Sequence, residues 1–135
     1  MTLNVSIIAP NRVLWDAPAN EVILSTTSGD LGVLPNHAPL LTALDVGVMR
    51  VRTNAWNSFA IMGGFATIAE NSLTVIVNEA FLGSEISVSE AEADVTTAQA
   101  DADRATDVSA SVEAQLKLRK AQVRCEAAKQ EAAKR

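Results

Sequence analysis

All six glycines and all four prolines lie before residue 88, and none follows through to the C-terminus. No other feature constrains the fold as strongly, because Gly and Pro punctuate turns and interrupt helices. The chain divides into a turn-rich part, 1–87, and a part free to run as helix, 88–135.

The first part is written in strands. "LNVSIIA", "RVLW", "EVILSTT", "VGVMRVRT", "SFAIM", "FATIA" and "LTVIV" are short and β-branched or alternating, and they are separated by turn pairs such as "PN", "AP", "SG", "GG" and "EN". Seven to ten strands are expected, forming a sandwich or barrel. The spacing leaves no room for crossover helices, so antiparallel pairing is expected.

The second part is rich in helix formers. Ser89 with Glu92 has the form of a capping box, which starts a helix over about 89–105. "RATDVSAS", 104–111, replaces helix formers with Thr, Asp and Ser, which predicts a turn near 106–109. A second helix over about 109–134 would be roughly 40 Å long. Ala91, Val95, Ala98, Ala102 and Ala105 on the first, and Ala114, Leu118, Ala121, Cys125, Ala128 and Ala132 on the second, form facing antiparallel seams.

Eight of those eleven seam residues are alanine. A buried methyl contributes only about 0.8 kcal/mol, against about 1.5–3 for a buried Leu or Val, so the seam is weak. Alanine is also the best helix former, so the helices can part without melting. Charge separates them further. Residues 88–107 hold six acids (Glu90, Glu92, Asp94, Asp101, Asp103, Asp107) and the single base Arg104. Residues 108–135 hold seven bases (Lys117, Arg119, Lys120, Arg124, Lys129, Lys134, Arg135) and three acids (Glu113, Glu126, Glu131). Opposed charge holds such a hairpin shut in modest salt, and once open it presents a cationic rod to an acidic partner. The alternative, equally open from residue physics, is a static hairpin with solvated charges.

Composition narrows the function classes. With 135 residues, 48% hydrophobic and 20% charged, the chain suits one core plus an appendage. The weakly polar run "FAIMGGFATIA", 59–69, is too short to span a membrane, and "MTLNVSIIAPNR" lacks the features of a secretory signal. One cysteine and one histidine provide neither an internal disulfide nor a metal cluster, and a net charge of −5 disfavours nucleic acid. No metal, cofactor or catalytic residue is expected.

The strand-rich part with "TTSGDLGVLPNHAPLLTAL" and "MGGFATI", then an acidic helix and a basic one, resembles the epsilon subunits of F-type ATP synthases over the whole chain. "MTLNVSIIAPNRVLWD", "VLPNHAP" and "LKLRKAQVR" are most similar to the photosynthetic branch, chloroplast and cyanobacterial. The resemblance implies an all-β sandwich of about ten antiparallel strands, 1–87, binding the gamma subunit and the c-ring. A regulatory helical hairpin, 88–135, would follow, α+β overall. It implies a noncatalytic rotor subunit, peripheral on the thylakoid membrane on its cytoplasmic or stromal side. The hairpin would extend towards the alpha/beta catalytic head to restrain ATP hydrolysis.

The resemblance also assigns roles to residues. His37, between Pro35 and Pro39, reads as the anchor of a stiffened loop rather than as a catalytic base with Ser28 and Asp30. By resemblance, His37, Ala38, Pro39, Leu40 and Thr42 would meet gamma. Ser28, Gly29 and Asp30, locally a turn, would approach the c-ring. Lys117, Arg119, Lys120 and Arg124 would be the inhibitory residues. "ADADRA", 100–105, partly resembles a nucleotide-binding motif through Asp101, Arg104 and Ala105. However, Ala100 is not the large aliphatic residue of that motif, Asp103 adds negative charge, and Asp101 with Arg104 also fits an intrahelical pair. Arg50 and Arg52 share one sheet face, Trp15 and Trp56 read as packing residues, and Cys125 reads as a small apolar seam residue. The rival reading is a free-standing β-sandwich ligand-binding module with a helical dimerisation tail.

Overall fold

The computed structural model describes residues 2–133. Met1, the charges of Lys134 and Arg135 and the predicted last residue of the second helix lie outside the described residues. Eight strands come first: β1 (Leu3–Ala9), β2 (Arg12–Ala19), β3 (Glu21–Thr26), β4 (Gly29–Val33), β5 (Leu40–Arg52), β6 (Trp56–Ala69), β7 (Ser72–Val77) and β8 (Ala80–Leu82). One turn of 3₁₀ helix, Gly83–Glu85, then leads to α1 (Val88–Arg104) and α2 (Val108–Ala133).

The strands bond in the order β2-β1-β7-β6-β5-β3-β4, with β8 added to β6. This single sheet becomes a sandwich because β5 and β6, 13 and 14 residues long, run through both layers. Their ladder passes from Leu44–Gly64 to Val46–Met62, skipping Asp45 and Gly63. At that irregularity the alternation reverses: Phe59 and Ile61 point into the core before it, Ala66 and Ile68 after it. Gly64 has φ +151°, and a Cβ there would run into the Ile76 carbonyl and lie 2.8 Å from the Val77 Cα. Only glycine fits. The "GG" read as a turn is therefore a bend inside one strand, and it joins the predicted "SFAIM" and "FATIA".

Two further details differ from the sequence expectation. Eight strands are present among the described residues, within the range set by the strand rhythm but short of the ten implied by resemblance. The two without a sequence signal are β4, which contains two glycines, and β8, only three residues long. One pair, β1 with β7, is parallel among otherwise antiparallel neighbours. It needs no crossover helix because strands of the sandwich themselves make the connection.

The core is filled by alternate residues of each strand, including Leu3, Val5 and Ile7, Val22 and Leu24, Met49 and Val51, and Leu73, Val75 and Val77. Trp15 packs edge-on to Phe59 with centroids 5.8 Å apart. Arg50 and Arg52, sharing the opposite face of β5, both lie over the Trp56 ring, at 5.5 and 5.8 Å.

The N-cap of α1 lies two residues before the predicted one. Ser87 is the N-cap, and its Oγ accepts from the Glu90 amide. "SVSEAE" offers the capping pattern in two registers, Ser87 with Glu90 and Ser89 with Glu92, and the structure uses the first. Asp107 begins α2 by accepting from the Ala110 amide at 2.7 Å, so the turn is residues 105–107 rather than 106–109. The alanine seam forms: Ala91, Ala102, Leu118, Ala121, Cys125 and Ala128 are buried. Ala132 is exposed, which corrects its seam assignment. It lies near the end of α2, where little of α1 remains to cover it.

Helix α2 also has a second buried face. Val123 and Ala127 pack on Ala60 and Met62 of β6, flanked by Val46, Val48, Phe81 and Ile86. Two apolar residues on a charged helix give no periodic signal, so the sequence revealed only the seam. The hairpin is thus docked on one outer face of the sandwich through α2, and α1 packs on α2.

Candidate docking surfaces

The His37 loop is held by its own backbone. Asn36 takes a positive φ of 71°, its amide donates to Asn71 Oδ1 at 2.5 Å, and Asn71 Nδ2 donates back to Asn36 Oδ1 at 3.3 Å. The His37 amide donates to the Leu34 carbonyl, and its Nδ1 lies 2.7 Å from the Ala38 carbonyl as donor. Among the described residues no hydrogen bond joins His37 to Ser28 or Asp30. Ala38 and Pro39 are exposed, while His37, Leu40 and Thr42 are half-buried.

Beside this loop lies a surface that strand alternation alone did not reveal. Val13, Ile8, Ile76, Phe65 and Ala43 are successive cross-strand partners on β2, β1, β7, β6 and β5, forming one row across the sheet. Four of the five are exposed: Val13 58%, Ile8 38%, Ile76 56% and Phe65 59%. Leu41, two residues from Ala43 and 70% exposed, extends the row into the His37–Thr42 segment. Because the alternation reverses at Gly63–Gly64, this row belongs to the outer face of the layer that α2 does not cover. The sandwich therefore has one outer face packed by its own hairpin and one left open, crossed by an exposed apolar row of the kind that marks an interaction site.

Ser28, Gly29 and Asp30 sit at the exposed β3–β4 turn. Thr26 braces it: its Oγ1 donates to the Gly29 carbonyl at 2.6 Å and accepts from the Ser28 amide at 3.2 Å. Asp30 also lines a polar cleft of ≈310 Å³ with Ser25, Arg50, Arg119, Glu126 and Gln130, at the joint between sandwich and hairpin.

The four residues expected to be inhibitory do not form one cluster on α2. Lys117, Lys120 and Arg124 line a groove of ≈550 Å³ between the helices, opposite Asp94 and Asp101, and Arg124 lies 5.7 Å from the Phe81 ring centre. Arg119 points elsewhere, donating to the Val46 carbonyl at 3.2 Å. Asp101 and Arg104 are paired with each other along α1 at 2.5 Å. Lys129 reaches Glu92 across the seam at 3.8 Å. Among the described residues no group of three or more His, Cys, Asp or Glu could hold a metal, and no helix is long and apolar enough to cross a membrane.

A β-sandwich carrying a docked helical hairpin on one outer face and an exposed apolar row on the other has the architecture of an interaction subunit. Comparison with known proteins agrees. Residues 2–83 match the family described as ATP synthase, Delta/Epsilon chain, beta-sandwich domain. The chain is 51% identical over 130 residues to the chloroplastic ATP synthase epsilon chain of Staurastrum punctulatum, covering 96% of this chain and 94% of that one. It is 49% identical over 128 residues to that of Liriodendron tulipifera, covering 94% and 96%. A chain of the Euglena gracilis mitochondrial ATP synthase has the same fold, with TM-score 0.81 at 20% identity, covering 94% of this chain and 81% of that one. One from the central stalk and c-ring of the Tetrahymena thermophila enzyme gives 0.63 at 16%, covering 94% and 96%. The chain belongs to the delta/epsilon chain family of ATP synthases, and within it to the epsilon chains, which are noncatalytic subunits.

Proposed function

We propose that this chain is a rotor subunit of a thylakoid-associated, proton-driven ATP synthase, joining gamma to the c-ring and restraining ATP hydrolysis through its hairpin. The observation that carries the reading is the unequal treatment of the two outer faces. The hairpin covers one. The other offers Val13, Ile8, Ile76, Phe65 and Leu41 beside His37, Ala38, Pro39, Leu40 and Thr42 as one continuous surface for gamma. Ser28, Gly29 and Asp30, at an exposed turn, are the proposed c-ring contact.

In the docked state Lys117, Lys120 and Arg124 face acids of their own hairpin, and Arg119 bonds to the sandwich. Extension towards the alpha/beta head would release all four for an acidic partner, while alanine-rich helices stay formed. The organelle named for the relatives supports the thylakoid placement; the stromal or cytoplasmic side is part of the proposal.

The test is co-purification with gamma after Phe65→Ser and Ile76→Ser. Each half-exposed apolar side chain would contribute roughly 1 kcal/mol or more on burial, so the double variant is expected to weaken gamma binding at least tenfold. Its own fold should persist, because both side chains lie outside the core. Undiminished gamma binding would overturn the docking assignment.

A further inference from the structure

Near the end of α2 a buried acid bonds to the backbone of the sandwich. Glu131 is only 6% exposed, and its Oε1 accepts from the Ser58 amide at 2.6 Å. The Ser58 hydroxyl donates to Gln130 Oε1 at 3.0 Å, so two consecutive residues of the helix are fastened to one residue of β6.

The sheet explains why that amide is available. The ladder between β8 and β6 ends with Phe59 opposite Leu82, and the chain then turns into the 3₁₀ segment at Gly83. One step further along, Ser58 has no strand residue opposite it on that side. A buried amide must find an acceptor, and the Glu131 carboxylate takes the place of the absent ladder carbonyl.

Gly83 makes room for it. A Cβ at position 83 would lie 2.5 Å from Glu131 Cγ, 2.7 Å from the Ala127 carbonyl oxygen and 2.9 Å from that of Ser58. The helix is therefore seated in a notch whose floor is a hydrogen atom. Arg12 and Glu85 hold the 3₁₀ turn that forms this floor, and α1 leaves the sandwich three residues later, at Val88.

We infer that Glu131 is the latch of the docked hairpin: its bond to Ser58, admitted by Gly83, sets the ratio of docked to undocked α2. The seam between α1 and α2 can stay closed throughout, so the latch governs release of the hairpin as a unit from the sandwich. This rests on the proposed reading that a mobile hairpin restrains hydrolysis, and the experiment separates the two.

Spin labels at the exposed positions Asn54 and Gln115, introduced as cysteines in a Cys125→Ala background, report sandwich-to-hairpin distances in the full chain by pulsed electron paramagnetic resonance. In Glu131→Ala and Gly83→Ala the undocked fraction is expected to rise about tenfold, the scale of one charge-assisted hydrogen bond. Glu131→Gln keeps the volume and an acceptor oxygen, so it should fall between these variants and the wild type. It also serves as the mild variant should Gly83→Ala fail to fold. Distance distributions identical to wild type in Glu131→Ala and Glu131→Gln would overturn the latch. The same variants, reassembled into the enzyme, are read for hydrolysis. A raised undocked fraction with unchanged hydrolysis upholds the latch and removes the inhibitory reading. Lowered hydrolysis with unchanged distances overturns the latch and also counts against restraint by hairpin extension.

Discussion

Arg12 and Glu85 meet in a two-toothed ion pair, Nη1 to Oε2 at 3.1 Å and Nη2 to Oε1 at 2.8 Å, that ties the first residue of β2 to the 3₁₀ turn 73 residues later. The pairing raises the Arg12 pKa and lowers that of Glu85, chiefly through the hydrogen bonds between them. It fixes the last turn of the sandwich, so a hairpin that swings out pivots at Ile86 and Ser87, beyond the clamp.

The clamp has a defined acid sensitivity. A carboxylate whose folded pKa is depressed contributes stability that is complete above its unfolded value, about 4.3, and is lost as pH falls through the lower folded value. Protection against amide hydrogen exchange across residues 80–87, taken relative to the intrinsic rate at each pH, should therefore be high at neutral pH and fall as the solution is acidified below the ordinary carboxylate range. Glu85→Gln should show the lower protection already at neutral pH and lose the acid dependence. Equal protection of this segment in both proteins at pH 7 would show that the pair does not hold the hinge.

The bend at Gly64 carries both layers. Gly64→Ala would force a Cβ into the backbone of β7 at a φ that L-residues rarely adopt. A loss of about 2 kcal/mol or more is expected in chemical denaturation, with strands of both layers losing exchange protection together. A loss confined to one layer would mean that the sheet does not act as one folded-over unit.

Ala98 and Ala121 face the groove between the helices, where there is space for larger side chains. Changing both to Leu should tighten the seam by about 1–2 kcal/mol, visible as a higher thermal midpoint of the helices. In the assembled enzyme the same pair should alter the extent of hydrolysis. Unchanged activity with a confirmed change in packing would count against regulation through this seam.

Much of this was legible because local chemistry spoke for itself. The absence of Gly and Pro after residue 87 marked where strands give way to helix, and Asp107 with its neighbours marked the reversal to within two residues. Other features depended on residues distant in sequence. Gly63–Gly64 has the composition of a turn, and only the packing of Ile76 and Val77 against it shows a bend within a strand. Ile8, Phe65 and Ile76 looked like ordinary members of apolar runs, because an outward-facing apolar residue is indistinguishable from an inward-facing one until the register across four strands is known. Glu131 read as one more surface acid on a charged helix. What buries it is the early end of β8, and nothing near position 131 announces that.

Because β5 and β6 each pass through both layers, the strip of sheet that presents Leu41 and Phe65 on the bare side continues, past the bend, as the floor beneath Val123 and Ala127. A load applied at the exposed end has an unbroken covalent path, through two strands that pair on both sides of the bend, to the cradle at the other. The strip proposed to meet gamma and the seat of the hairpin are thus two ends of the same pair of strands.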